Sequence, residues 1–449
     1  MYKRAILDKL RLWGKKDGRK PLVLRGARQV GKTTVVKMFG DEFGVFISLN
    51  LERSEDRGIF EGNKSLENVL EAICFLKSIT AESLNKERTL IFIDEIQNSP
   101  EAVALLRYFY EDAPEIFVIA AGSLLENILD TKLSFPVGRV EFLLMHPFSF
   151  EEFLWAMNED AAAKMINDVS IPNYAHQKLL ELFHRYTLIG GMPEIINVYG
   201  KTQDLVSLHS VYESLIIAYE EDIEKYAPHE KLVPVLRHVI LSSFNEVASR
   251  IKFGGFGNSN YTAKEVKEAF VILQKAFLFQ VVHPTTTPFL PISPNIKRAP
   301  RLHILDTGLI NFFTKMQKAL FLTKDISSVY SGKILEHIVG QELYSTTNSP
   351  LDSLNFWVRE QSQSSAEVDY VIAHNGYLIP VEVKAGASGR LRSLHSYIDA
   401  APHDIAIRLY RGELLIEQGV TTSGKKFQLL NIPYYQSSKI GNYLEALTG

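Results

Sequence analysis

One cysteine, Cys74, stands in a chain of 449 residues, which leaves no intramolecular disulfide and no cysteine-rich zinc site. No apolar run approaches the ~20 residues needed to cross a bilayer. The opening segment places Ile6, Leu7, Leu10 and Trp13 at helical spacing between basic residues, unlike the apolar core of a secretory signal. A cytoplasmic protein with no membrane partner is expected. Neither sign of charge dominates, since 49 Lys and Arg against 52 Asp and Glu leave a net charge of −3. A protein that coats itself in phosphate backbone is usually basic, so any DNA or RNA contact has to come from a local patch. Internal repeats and low-complexity tracts are absent too. What is there, 46% hydrophobic and 22% charged, is the composition of a folded globular chain. At roughly 150 residues per domain the length suits about three domains.

Up to about residue 150, short apolar strands alternate with helical patterns: Pro21 to Leu24, Val45 to Leu49, Leu90 to Ile93 and Ile116 to Ala120. That alternation predicts an α/β fold with a parallel sheet and crossover helices. After Pro147-Phe148-Ser149-Phe150 the pattern turns helical from 151 to about 245, broken at Gly190-Gly191-Met192-Pro193. A helix from Thr262 with Val266, Phe270 and Leu273 on one face follows. With a strand over 277–282 and a Pro- and Thr-rich loop over 284–300, this order suits a winged helix. From about 330 come a helix, strands at 354–359, 366–373 and 377–383, another helix, and a strand at 405–410. The predicted division is a core over 1–150, a helical lid over 151–228, a winged-helix-like segment over 229–325 and a mixed α/β domain over 326–449.

The run Gly26-Ala27-Arg28-Gln29-Val30-Gly31-Lys32-Thr33 fits G-x-x-x-x-G-K-[ST], with an apolar strand before it and a helical pattern (Val35, Val36, Phe39) after it. Glycines let backbone N–H groups close around phosphate oxygens, and the helix N-terminus adds a favourable dipole. The binding loop is therefore Gly26, Gln29, Val30, Gly31, Lys32, Thr33 and Thr34. Lys32 would contact the β- and γ-phosphates, and the Thr33 hydroxyl would ligate Mg²⁺. About sixty residues on, the apolar strand Leu90 to Ile93 ends in Asp94 and Glu95. Asp94 is placed to hold the Mg²⁺ shell and Glu95 to polarise the attacking water. Two such motifs at a workable separation argue against a chance match.

Two other positions stay open. Ser123 follows the next strand, where its hydroxyl would either sense the γ-phosphate beside Asp94 or cap a helix. Arg139 would either stabilise transition-state charge, in cis or in a neighbouring subunit, or serve as a surface ion-pair residue.

In the C-terminal part, Glu382 and Lys384 lie two apart on one strand and so share a face. Asp369 sits on the preceding strand, where a hairpin would bring the three together, and Glu336 lies on the helix over 332–344. Carboxylates that hold a divalent metal lower the pKa of its water and stabilise developing charge. Asp369 and Glu382 are then candidate ligands of a second divalent metal, assisted by Glu336, and Lys384 would orient or activate the water. An ordinary edge hairpin with alternating charge is the competing reading. Lys264, Lys267 and Lys275 are diluted by Glu265 and Glu268, so that helix reads as a solvated face, with nucleic-acid contact as the alternative. Lys297, Arg298 and Arg301 read as a wing or an exposed linker. His303, His337 and His395 show no ligand spacing.

The runs GARQVGKTT, IDEIQ, AGSLLE, GRVEFLLMHPFSFEEFL and GGMPE resemble the AAA-type P-loop ATPases of bacteria and archaea. The closest group carries a C-terminal domain of unknown function, and the resemblance continues through PRLHILDTGLI, GKILEHIVGQEL and the EVDYVI and PVEVKAG pair. Many AAA+ proteins have Asn where Ser123 stands. The resemblance implies ATP as the nucleotide, and a guanine-reading N-K-x-D run is not apparent. It also allows a homo-oligomer, a ring of six being common among AAA+ proteins. The helix–strand–strand–strand–helix order with Asp and E-x-K resembles the PD-(D/E)xK restriction-endonuclease-like fold, which implies a metal-dependent nuclease or an inactive relative of one.

Overall fold

The computed structural model describes residues 1–62, 64–122, 136, 138–317, 332–359, 366–386 and 391–448. Its contacts divide the chain into two compact units. One comprises residues 1–146 with 275–277 and 348–352, and the other comprises 147–274, 278–347 and 353–449.

In the first unit, β1 (Leu22–Arg25), β2 (Val45–Asn50), β3 (Thr89–Asp94), β4 (Phe117–Ala121) and β5 (Glu141–Leu144) form a sheet of order β2-β3-β4-β1-β5. Every pairing in it is parallel. Each residue of β1, β3 and β4 is buried, as expected of strands covered on both faces, and this explains their unbroken apolar runs. On one face Val23, Ile91, Ile93, Val118 and Ala120 pack with Leu105, Leu106 and Phe109 of the helix Pro100–Asp112. Each fully buried Val, Ile, Leu or Phe among these contributes about 1.5–3 kcal/mol. Aromatic rings gather around Phe117, which meets Trp13 edge-on at 5.9 Å and Phe43 at 4.9 Å. Ile6, Leu7, Leu10 and Trp13 all point inward from the helix Ile6–Gly14.

The second unit opens with helices. Ser149 and Glu152 form a reciprocal capping box on the helix Phe150–Ala156, which satisfies two donors that the helix itself cannot. The helix Asn173–Ile189 stops at Gly190, φ 75°, and Pro193 occupies the first turn of the helix Pro193–Thr202, the placement these residues favour. The helices Val233–Ser243 and Ala263–Lys275 precede β6 (Phe279–Val282), which pairs antiparallel with β8 (Arg301–Ile304). Between them, β7 (Pro284–Thr285) joins β9 (Phe356–Val358) and β10 (Glu367–Val368) in a small sheet.

A second five-stranded sheet has β11 (Tyr370–His374), β12 (Tyr377–Val383), β13 (Ile405–Tyr410), β14 (Leu415–Val420) and β15 (Lys426–Pro433) in the order β11-β12-β13-β15-β14. Its β12, β13 and β15 run parallel, with an antiparallel strand at each edge. The single strand expected over 366–373 is interrupted at Asp369, which lies between β10 and β11.

Three sequence motifs of this unit meet in one buried polar network. Asp306, fully buried, accepts from Gly191 N at 2.5 Å and from Gly308 N at 3.0 Å. Glu342, also fully buried, accepts from Phe150 N at 2.9 Å and the Tyr186 hydroxyl at 2.8 Å. Gln341 accepts from Thr307 N at 2.9 Å and donates to Tyr186 at 3.1 Å. GGMPE, LDTGL and GQEL are thus parts of one core, where each polar group buried without a partner would cost about 1–3 kcal/mol.

Candidate functional site

In the first unit, β1 runs into a loop that ends in the helix Lys32–Gly40. Gly26 has φ 142° and Gly31 φ 97°, and a Cβ on Gly26 would stand 2.3 Å from the Met145 carbonyl oxygen. Only glycine takes both that backbone and that approach without strain. The loop is braced from beneath, because Arg4, 6% exposed, donates to Val30 O at 3.0 Å and to His146 O at 2.7 Å. Lys32 Nζ folds over the loop and donates to Gly26 O at 2.9 Å and Ala27 O at 2.8 Å. Burial pushes its ammonium down to about 8, against the pull of Glu95 and Asp94.

At the end of β3, Asp94 Oδ2 accepts from the Thr33 hydroxyl at 2.6 Å, and its Oδ1 accepts from Glu95 N at 3.1 Å. Burial holds the Asp94 carboxyl above the usual carboxylate range, opposed by the Thr33 hydroxyl. Glu95 has a left-handed backbone, φ 52°, and Gln97 Nε2 donates to its Oε2. Gln97 was not singled out in the sequence, although the IDEIQ run contains it. A hydroxyl and a carboxylate in contact form the hard oxygen set that Mg²⁺ takes beside phosphate, so the residues fit that ion. The strand order supports the location. The chain leaves β1 for β2 two places beyond β4, and ligands of open α/β sheets bind at the carboxyl ends of strands near such a switch.

Arg139 pairs with Glu111 Oε1 at 2.7 Å, and Arg107 of the same helix shares that carboxylate at 3.0 Å. Those guanidinium hydrogen bonds hold Glu111 below the usual carboxylate range. Ser123 lies outside the described residues.

In the second unit, Glu336, Asp369, Glu382 and Lys384 converge. Asp369 Oδ2 accepts from Val383 N at 2.8 Å, and Lys384 Nζ donates to Glu382 Oε1 at 2.6 Å. Two residues not counted with this site from the sequence join them. Arg301 is no exposed wing, being 6% exposed at the start of β8. Its guanidinium bonds to Glu336 Oε1, Glu367 Oε1 and Asp369 Oδ1. Burial opposes the arginine's charge, but Glu336, Asp369 and Glu367 outweigh it and raise its pKa. Burial and the Asp369 charge push Glu382 up to about 7. His303 and His337 stack at 5.2 Å, and His337 is bonded to Ile304 and Thr307. Among the described residues no group of three or more acidic, His or Cys side chains has the geometry to hold a metal ion.

Glycine loop, lysine and acid pair on a parallel sheet define a P-loop NTPase fold for the first unit. Residues 18–154 match a family model described as an AAA domain, residues 180–320 a domain of unknown function (DUF8612), and residues 331–435 another domain of unknown function (DUF4143). The first unit therefore combines a P-loop NTPase fold with a match to an AAA domain. An uncharacterized protein of Haemophilus influenzae is 23% identical over 276 residues, 57% of this chain, and the match spans 60% of that relative's length. Among solved structures, the chain is similar to a Walker-type ATPase of Pyrococcus abyssi (17% identity, TM-score 0.47, 70% of this chain and 96% of that one). It is also similar to a STAND signal-transduction ATPase of Pyrococcus horikoshii with a tetratricopeptide-repeat sensor (14% identity, TM-score 0.27, 73% of this chain and 44% of that one). Among the described residues no helix is long and apolar enough to cross a membrane.

Proposed function

We propose that the first unit binds and hydrolyses ATP, and that nucleotide state repositions the segments after it. The contact between Thr33 and Asp94 at 2.6 Å carries this reading. It brings the end of the phosphate loop and the end of β3 to one point, although β4 lies between their strands. On ATP binding, Lys32 exchanges the Gly26 and Ala27 carbonyls for the β- and γ-phosphates, while backbone N–H groups at the start of the helix Lys32–Gly40 receive phosphate oxygens. Thr33 and Asp94 would hold Mg²⁺, which would supply charge neutralisation at the phosphates. Glu95 orients the attacking water and takes its proton as oxygen bonds to the γ-phosphorus and the bond to the bridging oxygen breaks. Gln97 fixes the Glu95 carboxylate. Arg139 is the candidate transition-state cation, exchanging Glu111 for a γ-phosphate in cis or in a neighbouring copy. ATP is a cytoplasmic metabolite, so the reading places the chain in the cytoplasm. Calorimetry with ATP and ADP on the full chain tests it, and absence of binding at millimolar nucleotide overturns it.

The second unit is read as a helical lid over 151–228, a winged-helix-like segment over 229–325 and a restriction-endonuclease-like domain over 326–449 that binds rather than cuts. The convergence of Glu336, Asp369, Glu382 and Lys384 favours that fold, while Arg301 stands among the same oxygens. A divalent metal does not fit that arrangement, and no cleavage step is assigned to it. Plasmid nicking with Mn²⁺ that disappears in Asp369→Ala would reinstate a nuclease acting on DNA.

A further inference from the structure

Arg301 is placed as a cation at a ligand-rich centre. Nη1 faces Glu336 Oε1 and the Asp369 carbonyl oxygen, the latter at 3.2 Å, and Nη2 faces Glu367 Oε1 and Asp369 Oδ1, the latter at 3.3 Å. The Phe356 ring lies under the guanidinium, 4.7 Å from centroid to carbon. Beside it, Glu382 is 5% exposed; its Oε1 is bonded to Lys384, but its Oε2 is buried without a hydrogen-bond partner.

Carboxylate and carbonyl oxygens from a helix, a strand and the bend at Asp369 are the donors a hard divalent ion takes. Here N–H groups of a guanidinium, whose planar fork matches carboxylates on two sides, meet three of the four acids. Four carboxylates face three cations, Arg301, Lys384 and, at Glu367, Arg250, so at full ionisation the cluster keeps one negative charge. Burial and the Asp369 charge raise Glu336 well above the usual carboxylate range, opposed by Arg301.

We propose that Arg301 is the resident cation of this cluster, occupying the oxygens that would otherwise ligate a divalent metal and so excluding one. The arginine comes from the segment matched by one domain of unknown function and the acids from the segment matched by the next. Arg250, also from the first segment, adds a contact to Glu367 Oε2 at 3.4 Å. The cluster therefore joins two matched segments through charge, with the metal's role taken by a side chain. This inference is independent of the nucleotide reading and stands or falls on the cluster alone.

The test is Mn²⁺ binding to the full chain without nucleotide, followed by loss of the free-ion electron paramagnetic resonance signal. Wild type is expected to show no Mn²⁺ site that Asp369→Asn removes. Arg301→Gln is expected to gain a site at least about tenfold tighter than any in wild type, lost again in Arg301→Gln/Asp369→Asn. A wild-type site abolished by Asp369→Asn overturns the proposal, as does a folded Arg301→Gln chain with no added site. Should Arg301→Gln not fold, the wild-type thermal midpoint decides. It stays unchanged between millimolar Mn²⁺ and chelator if the arginine fills the site, and a rise with Mn²⁺ that Asp369→Asn cancels overturns the proposal.

Discussion

The Thr33 hydroxyl donates to Asp94 Oδ2 at 2.6 Å, tying the first turn after the phosphate loop to the end of β3. A serine at position 33 keeps that donor, whereas alanine removes it and asparagine at position 94 removes the anionic acceptor. Thr33→Ser is expected to keep most ATP turnover. Thr33→Ala and Asp94→Asn should each lose about 100-fold or more, measured as steady-state phosphate release with Mg²⁺.

Lys32 links nucleotide affinity to pH. Burial lowers its pKa to about 8, and triphosphate oxygens would raise it. Binding therefore takes up a proton between the two values. Affinity is full below about pH 8 and falls by up to about tenfold per pH unit above it. Calorimetry in buffers of different ionisation heat detects the uptake, and Lys32→Ala should remove both the pH dependence and turnover.

Arg139 and Glu111 separate catalysis from structure. If Arg139 serves a neighbouring copy, Arg139→Ala binds ATP normally but turns it over slowly, and Glu111→Ala retains turnover. Mixing Arg139→Ala with Lys32→Ala chains should then restore part of the activity. Mixed samples no more active than either alone would contradict a role in trans.

Stability should fall as pH rises through the range set by Glu342. Burial raises its pKa from 4.5 to about 7, so the folded state binds more protons than the unfolded state between those values. The stabilisation lost across that window reaches about 3 kcal/mol. Asp306, raised from 3.8 to about 6 by burial, acts in the same direction at lower pH. Thermal denaturation of wild type between pH ~5 and ~8 should show the decline, and Glu342→Gln, which keeps an acceptor without the charge, should flatten it.

Gly191 allows the approach of Phe148, since a Cβ there would lie 2.2 Å from the Phe148 carbonyl oxygen. Gly191→Ala should cost about 1–3 kcal/mol or more, read from denaturant midpoints. A Cβ on Gly441, in the helix Ile440–Thr448, meets nothing within 4 Å, and Gly441→Ala should be neutral or stabilising.

The buried strands of the first unit were legible because parallel strands covered on both faces are apolar throughout. The edge strands β5 and β14 were not. Only Leu144 of β5 is buried, and β14 exposes Leu415, Ile416 and Val420 at 48%, 48% and 58%, so neither shows a clear alternation. The hairpin that unites Asp369 with Glu382 followed from strand periodicity, which acts over a few residues. Arg301 did not, because nothing local ties position 301 to the acids at 336, 367 and 369. Its neighbours Leu302 and Ile304 form an ordinary apolar strand.

Arg4 lies ahead of the first helix, yet its guanidinium reaches Val30 O and His146 O together. A displacement of the segment ahead of the first helix would thus be felt at the loop between β1 and the helix Lys32–Gly40. The brace on the phosphate loop comes from a residue well outside Gly26 to Thr33.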